Sequence, residues 1–233
     1  MRKCFALLAL WCLPVTAIFA QDVVGNDSKP VVEKPSRDFI MLEFAYNGWM
    51  NKPDSVHTGG FGRGFNGFLC YDFPIKKSNF SFATGLGVNI NNIYFDNQKL
   101  ILTDTGSTAV AHFIDTGGFK KFKYTTTFLT APFELRYFSN NINRNKGFKA
   151  AIGLRVGLMV GAHTKEKYSV GGTTVDNKVN STRFLNKWEF TGTARVGFGN
   201  FYLFGTYNLT PLFAEGSGPQ VVPFSIGIGL TGL

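Results

Sequence analysis

The stretch from Asn79 to Ile90, NFSFATGLGVNI, alternates along its whole length. Phe80, Phe82, Thr84, Leu86, Val88 and Ile90 fall on one side, and Ser81, Ala83, Gly85, Gly87 and Asn89 on the other. A period of two means a strand with one apolar face. A soluble strand that hides its apolar face shows water residues such as Lys, Glu and Thr. Here the second face is made of very small residues, and glycine weakens a strand unless something needs the space. An inverted strand satisfies both faces: bulky side chains meet lipid, and small ones make room inside a narrow lumen.

Seven further segments alternate in the same way: 39–49, 63–73, 125–138, 147–163, 187–198, 201–209 and 222–230. The clearest is 147–163, with Phe148, Ala150, Ile152, Leu154, Val156, Leu158 and Val160 on one side. Lys149, Ala151, Gly153, Arg155, Gly157, Met159, Gly161 and His163 take the other. In 63–73, Phe68 interrupts the pattern. The joints alternate between short (PIKKS, GN) and long (50s, 97–121, 164–184, 210–220), the loop signature of an outer-membrane barrel with short periplasmic turns. Eleven residues at about 3.3 Å each, tilted near 45°, cover roughly 25 Å, the height of the apolar band. The expected fold is an all-β, eight-stranded antiparallel up-and-down transmembrane β-barrel.

The same reading sends the in-strand charges inward. Glu43, Glu134, Arg136, Arg155, Glu189 and Arg195 all lie on the small or polar face of their segments. On the lipid side an Arg near the midplane costs roughly 2 to 4 kcal/mol, whereas in the lumen carboxylate and guanidinium can pair in bidentate fashion. These six are expected to form a structural plug. Pro132 lacks the N–H that a closed barrel needs, so a bulge is expected there.

Composition agrees. Of 233 residues only 17% are charged, low against roughly 25% for soluble domains. No apolar run in the body of the chain approaches the about 18 residues of a spanning helix. Residues 1–20 read as a signal peptide, with Arg2 and Lys3 before FALLALWCLPVTAIFA. Residues 21–37, with two prolines, read as a flexible periplasmic leader, and 38–233 as the barrel. Cleavage after Ala20 would take two charges from the formal +9 and leave Cys70 as the single cysteine, expected to be a small buried hydrophobe. An exported basic chain meets outer-membrane lipids rather than nucleic acid.

The segments RGFNGFLCYDFPIKKSNFSFATGLGVNINNIYF, LTAPFELRYF and TARVGFGNFYLFGTYNLTPLFAEGSGPQVVPFSIGIGL, from about residue 38 to the end, resemble the small outer-membrane β-barrels of Bacteroidota called PorT-like. The resemblance implies an outer-membrane location and eight strands. Its name-giving member takes part in a protein-secretion pathway, which nothing in this sequence singles out; the partners expected through the long loops are secretion-system or cell-surface proteins. Barrels of this sort end in an aromatic residue, whereas this chain ends in TGL.

The rival reading is a lipid-modifying or proteolytic enzyme with its site in the extracellular loops. Asp54, Ser55 and His57 in one loop, with Asp104, Ser107, His112 and Asp115 in another, supply the residue types of a nucleophile, base and orienting acid. They lack motif spacing such as G-x-S-x-G. The histidines show no zinc spacing, and GFGRG at 60–64 is followed by no helix that would make it a phosphate loop. A soluble barrel holding an apolar ligand would reverse the faces. The expectation is therefore a monomeric, non-enzymatic outer-membrane barrel, without metal or cofactor, whose role is structural, surface interaction or secretion support. The apolar residues of 97–121, among them Leu100, Leu102 and Phe113, suit a hairpin extension or a docking surface.

Overall fold

A computed structural model describes residues 39–232 apart from 77, 107, 117–118, 141–142 and 171, with side chains described at all but 119–121 and 169–170 of these. The signal peptide and leader expected over 1–20 and 21–37 lie outside the described residues. The strands are β1 (Ile40–Met50), β2 (Arg63–Pro74), β3 (Phe80–Phe95), β4 (Gln98–Ile101), β5 (His112–Asp115), β6 (Phe119–Phe138), β7 (Phe148–Val170), β8 (Thr173–Asn180), β9 (Trp188–Phe198), β10 (Phe201–Asn208) and β11 (Val222–Thr231). No described segment is helical.

Eight of these strands close a cylinder. Each is antiparallel to its neighbours in the order β1, β2, β3, β6, β7, β9, β10, β11, and β11 returns to β1. Closure is visible at Phe44, which stands opposite Phe65 of β2 and Ile228 of β11. A closed cylinder has no free edge, which is how a sheet survives in hydrocarbon.

The polarity of the wall is inverted throughout. Along β1, Met41, Glu43, Ala45, Asn47 and Trp49 are buried while Phe44, Tyr46 and Met50 are exposed. On β3, Leu86 is 62% exposed and Val88 41%, while Ser81 and Ala83 are buried. Exposed aromatics gather at both ends of the apolar band: Phe73, Phe80, Phe148 and Phe198 at the periplasmic rim, Tyr46, Phe61 and Trp188 at the extracellular one. Such girdles mark the two membrane interfaces.

Glycine is needed where the lumen holds a ring. Phe68, which interrupts the alternation of its segment, points inward and is buried opposite Gly87. A Cβ on Gly87 would strike the Phe68 ring. Gly229 does the same for Tyr202, whose ring carbon and hydroxyl would lie 2.5 and 2.6 Å from an added Cβ. Cys70 is buried with its Sγ 3.6 Å from Met41 Sδ.

Three expectations are corrected. The bulge lies not at Pro132 but on β7, where Thr127 faces Gly161 and Phe128 faces Met159, leaving Val160 as the extra residue. Pro132 keeps its register opposite Arg155. On its other side the β3–β6 pairing passes from Thr84–Phe133 to Gly87–Thr130. The missing donor is thus accommodated by a gap in the ladder without a register shift. The extra residue also reverses the phase of β7. Below it Ala151 and Arg155 point inward; above it Ala162, Thr164 and Glu166 do. His163, expected on the inner face with Gly161, is carried to the outer one, where it pairs with Thr125 and Asn180. Finally, 164–184 is not a loop. β7 continues to Val170 and turns back through β8, so that β3, β6, β7 and β8 extend the wall beyond the apolar band.

Candidate functional site

The lumen is filled by charge. Glu43, Glu134, Arg136, Arg155, Glu189 and Arg195 are all buried in it, none more than 5% exposed. Glu43 accepts from Arg155 twice, Nη2 to Oε1 at 2.7 Å and Nη1 to Oε2 at 2.8 Å. Asn66 Nδ2 donates to the same carboxylate at 2.8 Å and the Tyr202 hydroxyl at 3.1 Å. The Arg155 guanidinium lies 4.7 Å from the centre of the Phe68 ring, so the ring that breaks the sequence pattern is a platform for the cation.

A second group lies toward the periplasm. Glu134 Oε2 accepts from Arg136 Nε at 2.9 Å and from Arg195 Nη2 at 3.1 Å. Arg136 also reaches Asp72 Oδ1 at 3.0 Å, and Arg144 reaches Asp72 Oδ2 at 3.1 Å. Asp72 and Arg144 were not among the expected lumenal charges. Asp72 was legible, since it alternates with Tyr71 and Phe73. Arg144 was not, because it comes from a turn that tucks under the barrel and carries no periodicity. Toward the extracellular end Glu189 accepts from Asn208 Nδ2 at 2.8 Å, and Asn208 Oδ1 accepts from Thr191 at 2.9 Å.

Arg155–Glu43, Arg136–Asp72 and Arg195–Glu134 join strands that are not neighbours in the sheet, so the network braces the wall from within. The void between Asn47, Trp49, Tyr124 and Glu189 is about 20 Å³, room for roughly one water. The chemistry available here is cohesion rather than passage.

Above the charges the barrel mouth is capped. β4 and β5 form a hairpin of their own, with Leu100 opposite Phe113. It packs its apolar face into a cluster that includes Trp49, Phe95, Leu100, Phe122 and Phe213. Trp49 and Phe95 meet at 5.4 Å between ring centres, and Phe95 and Phe113 at 5.3 Å. The hairpin expected within 97–121 forms. Lys99 pairs with the buried Glu166 of β7, and Ser181 donates to the Leu102 carbonyl at 2.8 Å. Ala111 N–H donates to the Ser217 carbonyl at 2.7 Å, so three loops close over the lumen together.

The loop residues that suggested a catalytic site are arranged around this cap. Gln98 is buried and donates to the Ser55 carbonyl at 2.5 Å and to Asp115 Oδ1 at 2.8 Å; it accepts from the His57 backbone N–H at 2.7 Å. Ser55, His57 and Asp115 are therefore brought together by one amide, through their backbones in two cases of three. His112 Nδ1 lies 3.1 Å from the Val110 carbonyl and 3.5 Å from Asp104 Oδ2, with both side chains exposed to solvent. Asp54 is exposed, and Ser107 lies outside the described residues. Among the described residues no hydroxyl hydrogen-bonds either imidazole, and no cluster of three His, Cys, Asp or Glu is disposed to hold a metal.

The inverted wall, the aromatic girdles and the sealed lumen describe a membrane barrel, and comparison with known families agrees. Residues 19–214 match the model of a family described as outer membrane protein beta-barrel domain. No curated protein matches the chain. With most of its length covered, the chain belongs to the outer membrane protein β-barrel domain family, and its place is the outer membrane of a Gram-negative bacterium.

Proposed function

We propose that this barrel is a non-enzymatic surface-interaction protein whose working part is the sheet carried outside the membrane. The observation that carries the reading is the length of two strands. β6 runs for 20 residues and β7 for 23, about twice the 9 to 11 that a tilted strand needs to span. Building that extension costs conformational entropy, and a plug or anchor does not require it. β8 pairs with β7 alone among the described residues, so its other side offers backbone donors and acceptors to an added strand. The PorT-like resemblance adds components of a secretion complex to the partners such an edge would serve.

The test is a photoreactive residue placed at Thr174 or Asn177 of β8 in living cells, with one at Phe148 on the lipid face as control. A discrete protein adduct at β8 and none at Phe148 is the expected result; identical patterns at all three positions would reject the reading. The enzyme reading is tested separately by H57A and H112A. Lipid profiles of the outer membrane are expected to stay unchanged, and an altered lipid A or phospholipid pattern would favour catalysis.

A further inference from the structure

The outer face of the same extension carries a row of cations in cross-strand register. Tyr94 stands opposite Lys123, Lys123 opposite Lys165, and Lys165 opposite Lys178, across β3, β6, β7 and β8. Cross-strand partners share a face, and the neighbouring Phe95 and Glu166 are buried, so this row looks outward. Lys167 follows on β7, and Arg63 lies one rung lower, in line with Asn92, Thr125 and His163.

Like charges set directly across a sheet are destabilising, and nothing in the fold of the barrel demands them here. Their field is felt locally. His163 is held below the usual imidazole range, first by burial and then by Lys178, Lys123 and Lys165. Among the described residues, carboxylates border the five cations at Asp176, whose Oδ2 lies 3.0 Å from Lys165 and Oδ1 4.0 Å from Lys167, and at Asp96 beside Arg63. The surface is also shaped. A groove of about 190 Å³ runs between Tyr94, Lys123, Lys165 and Lys167, and a second of about 430 Å³, also lined by Tyr94, passes Phe61 and Arg63.

Height identifies the occupant. The lipid-facing residue Ile90 pairs with Thr127, and the Tyr94–Lys123 rung lies four residues farther out on β3. At about 3.3 Å per residue that is roughly 13 Å along the strand, or roughly 9 Å of height at a tilt near 45°. The Tyr94–Lys123 end of the row therefore stands at the level where the apolar band gives way to charged headgroups, and Lys165 and Lys178 continue it into the extension beyond the band. A soluble anion would find cations anywhere on the surface, whereas a lipid phosphate is confined to this layer.

We propose that this face docks the phosphate groups of the anionic glycolipid of the outer leaflet, with Lys123, Lys165, Lys167 and Lys178 as point charges and Arg63 as a planar, bidentate donor. The inference rests on the outer-membrane location and is independent of any protein partner at β8. Its test uses purified, folded protein in zwitterionic detergent, titrated with bisphosphorylated lipid A, with dephosphorylated lipid A and with inorganic phosphate. Bisphosphorylated lipid A should bind at least tenfold more tightly than either control. K123Q/K165Q/K167Q/K178Q should lose that preference, and K76Q/K146Q, which alters lysines at the periplasmic turns, should keep it. Should the quadruple variant not fold, as read by heat-modifiable gel mobility, K165Q and R63Q singly should each weaken binding severalfold. Equal binding of phosphorylated and dephosphorylated lipid A, phosphate competing at equal concentration, or lysine variants that bind like the wild type would each overturn the assignment. Any of these results would leave a crosslink at β8 unaffected.

Discussion

Arg155 of β7 grips Glu43 of β1 across the lumen, with two hydrogen bonds of 2.7 and 2.8 Å between residues 112 positions apart. No ladder of backbone bonds joins these two strands, which lie on opposite sides of the cylinder. The pair is a strut across a wall that is otherwise held only edge to edge.

Removing one end of the strut should therefore be worse than removing both. R155M leaves Glu43 buried without its guanidinium, and a broken buried pair costs about 3 to 5 kcal/mol. R155M/E43Q should recover a large share of that loss. Urea unfolding in lipid vesicles measures it; equal stability of single and double variants would refute the strut.

Gly229 and Tyr202 make a suppressor pair. G229A places a methyl group against the Tyr202 ring, and overpacking of a filled interior costs typically 1 to 3 kcal/mol. Adding Y202A opens the space, so the double variant should be no less stable than Y202A alone. A full G229A penalty retained in the Y202A background would show that the ring is not what the glycine accommodates.

Leu154 tests which side faces lipid. Leu154 is 52% exposed at mid-height on β7, so L154R should destabilise the inserted barrel by roughly 2 to 4 kcal/mol. L154F keeps an apolar surface and should be neutral. Vesicle insertion yields of L154R matching the wild type would contradict the inverted wall.

His163 makes the outer extension acid-sensitive. Its protonation in the folded state is opposed by burial and by Lys178, Lys123 and Lys165, so the unfolded chain binds the proton first as pH falls. Stability is unaffected above the unfolded value near 6.5 and is lost as pH drops through it toward the depressed folded value. The hydrogen-exchange protection of β8, taken relative to the intrinsic rate at each pH, should fall as pH drops below about 6.5, and H163Q should flatten the profile. A profile that persists in H163Q would assign the sensitivity elsewhere.

The match between sequence and structure follows the physics of the strand. Residues such as Phe80, Ser81, Phe82 and Ala83 reveal their faces because lipid admits only one kind of side chain and the lumen only another. Glu43, Arg155 and Glu134 were assigned inward by the same logic, since no other side tolerates them. Other features escaped, as Arg144 did. β8 and the outer half of β7 looked like loop because β8 meets water on both faces and the inward Thr164 and Glu166 of β7 are as polar as their outward neighbours, so alternation carries no contrast. His163 was sent inward because an unbroken count of two cannot register an inserted residue.

Periodicity in the chain thus established the strands, their number in the cylinder and which side of each meets lipid, all of which depend on near neighbours and on the solvent they face. The partners of each charge, the bulge at Val160 and the lysine row across β6, β7 and β8 emerged from closure alone. Register across strands sets which distant residues touch, and a ladder's register is a property of two strands rather than of either one.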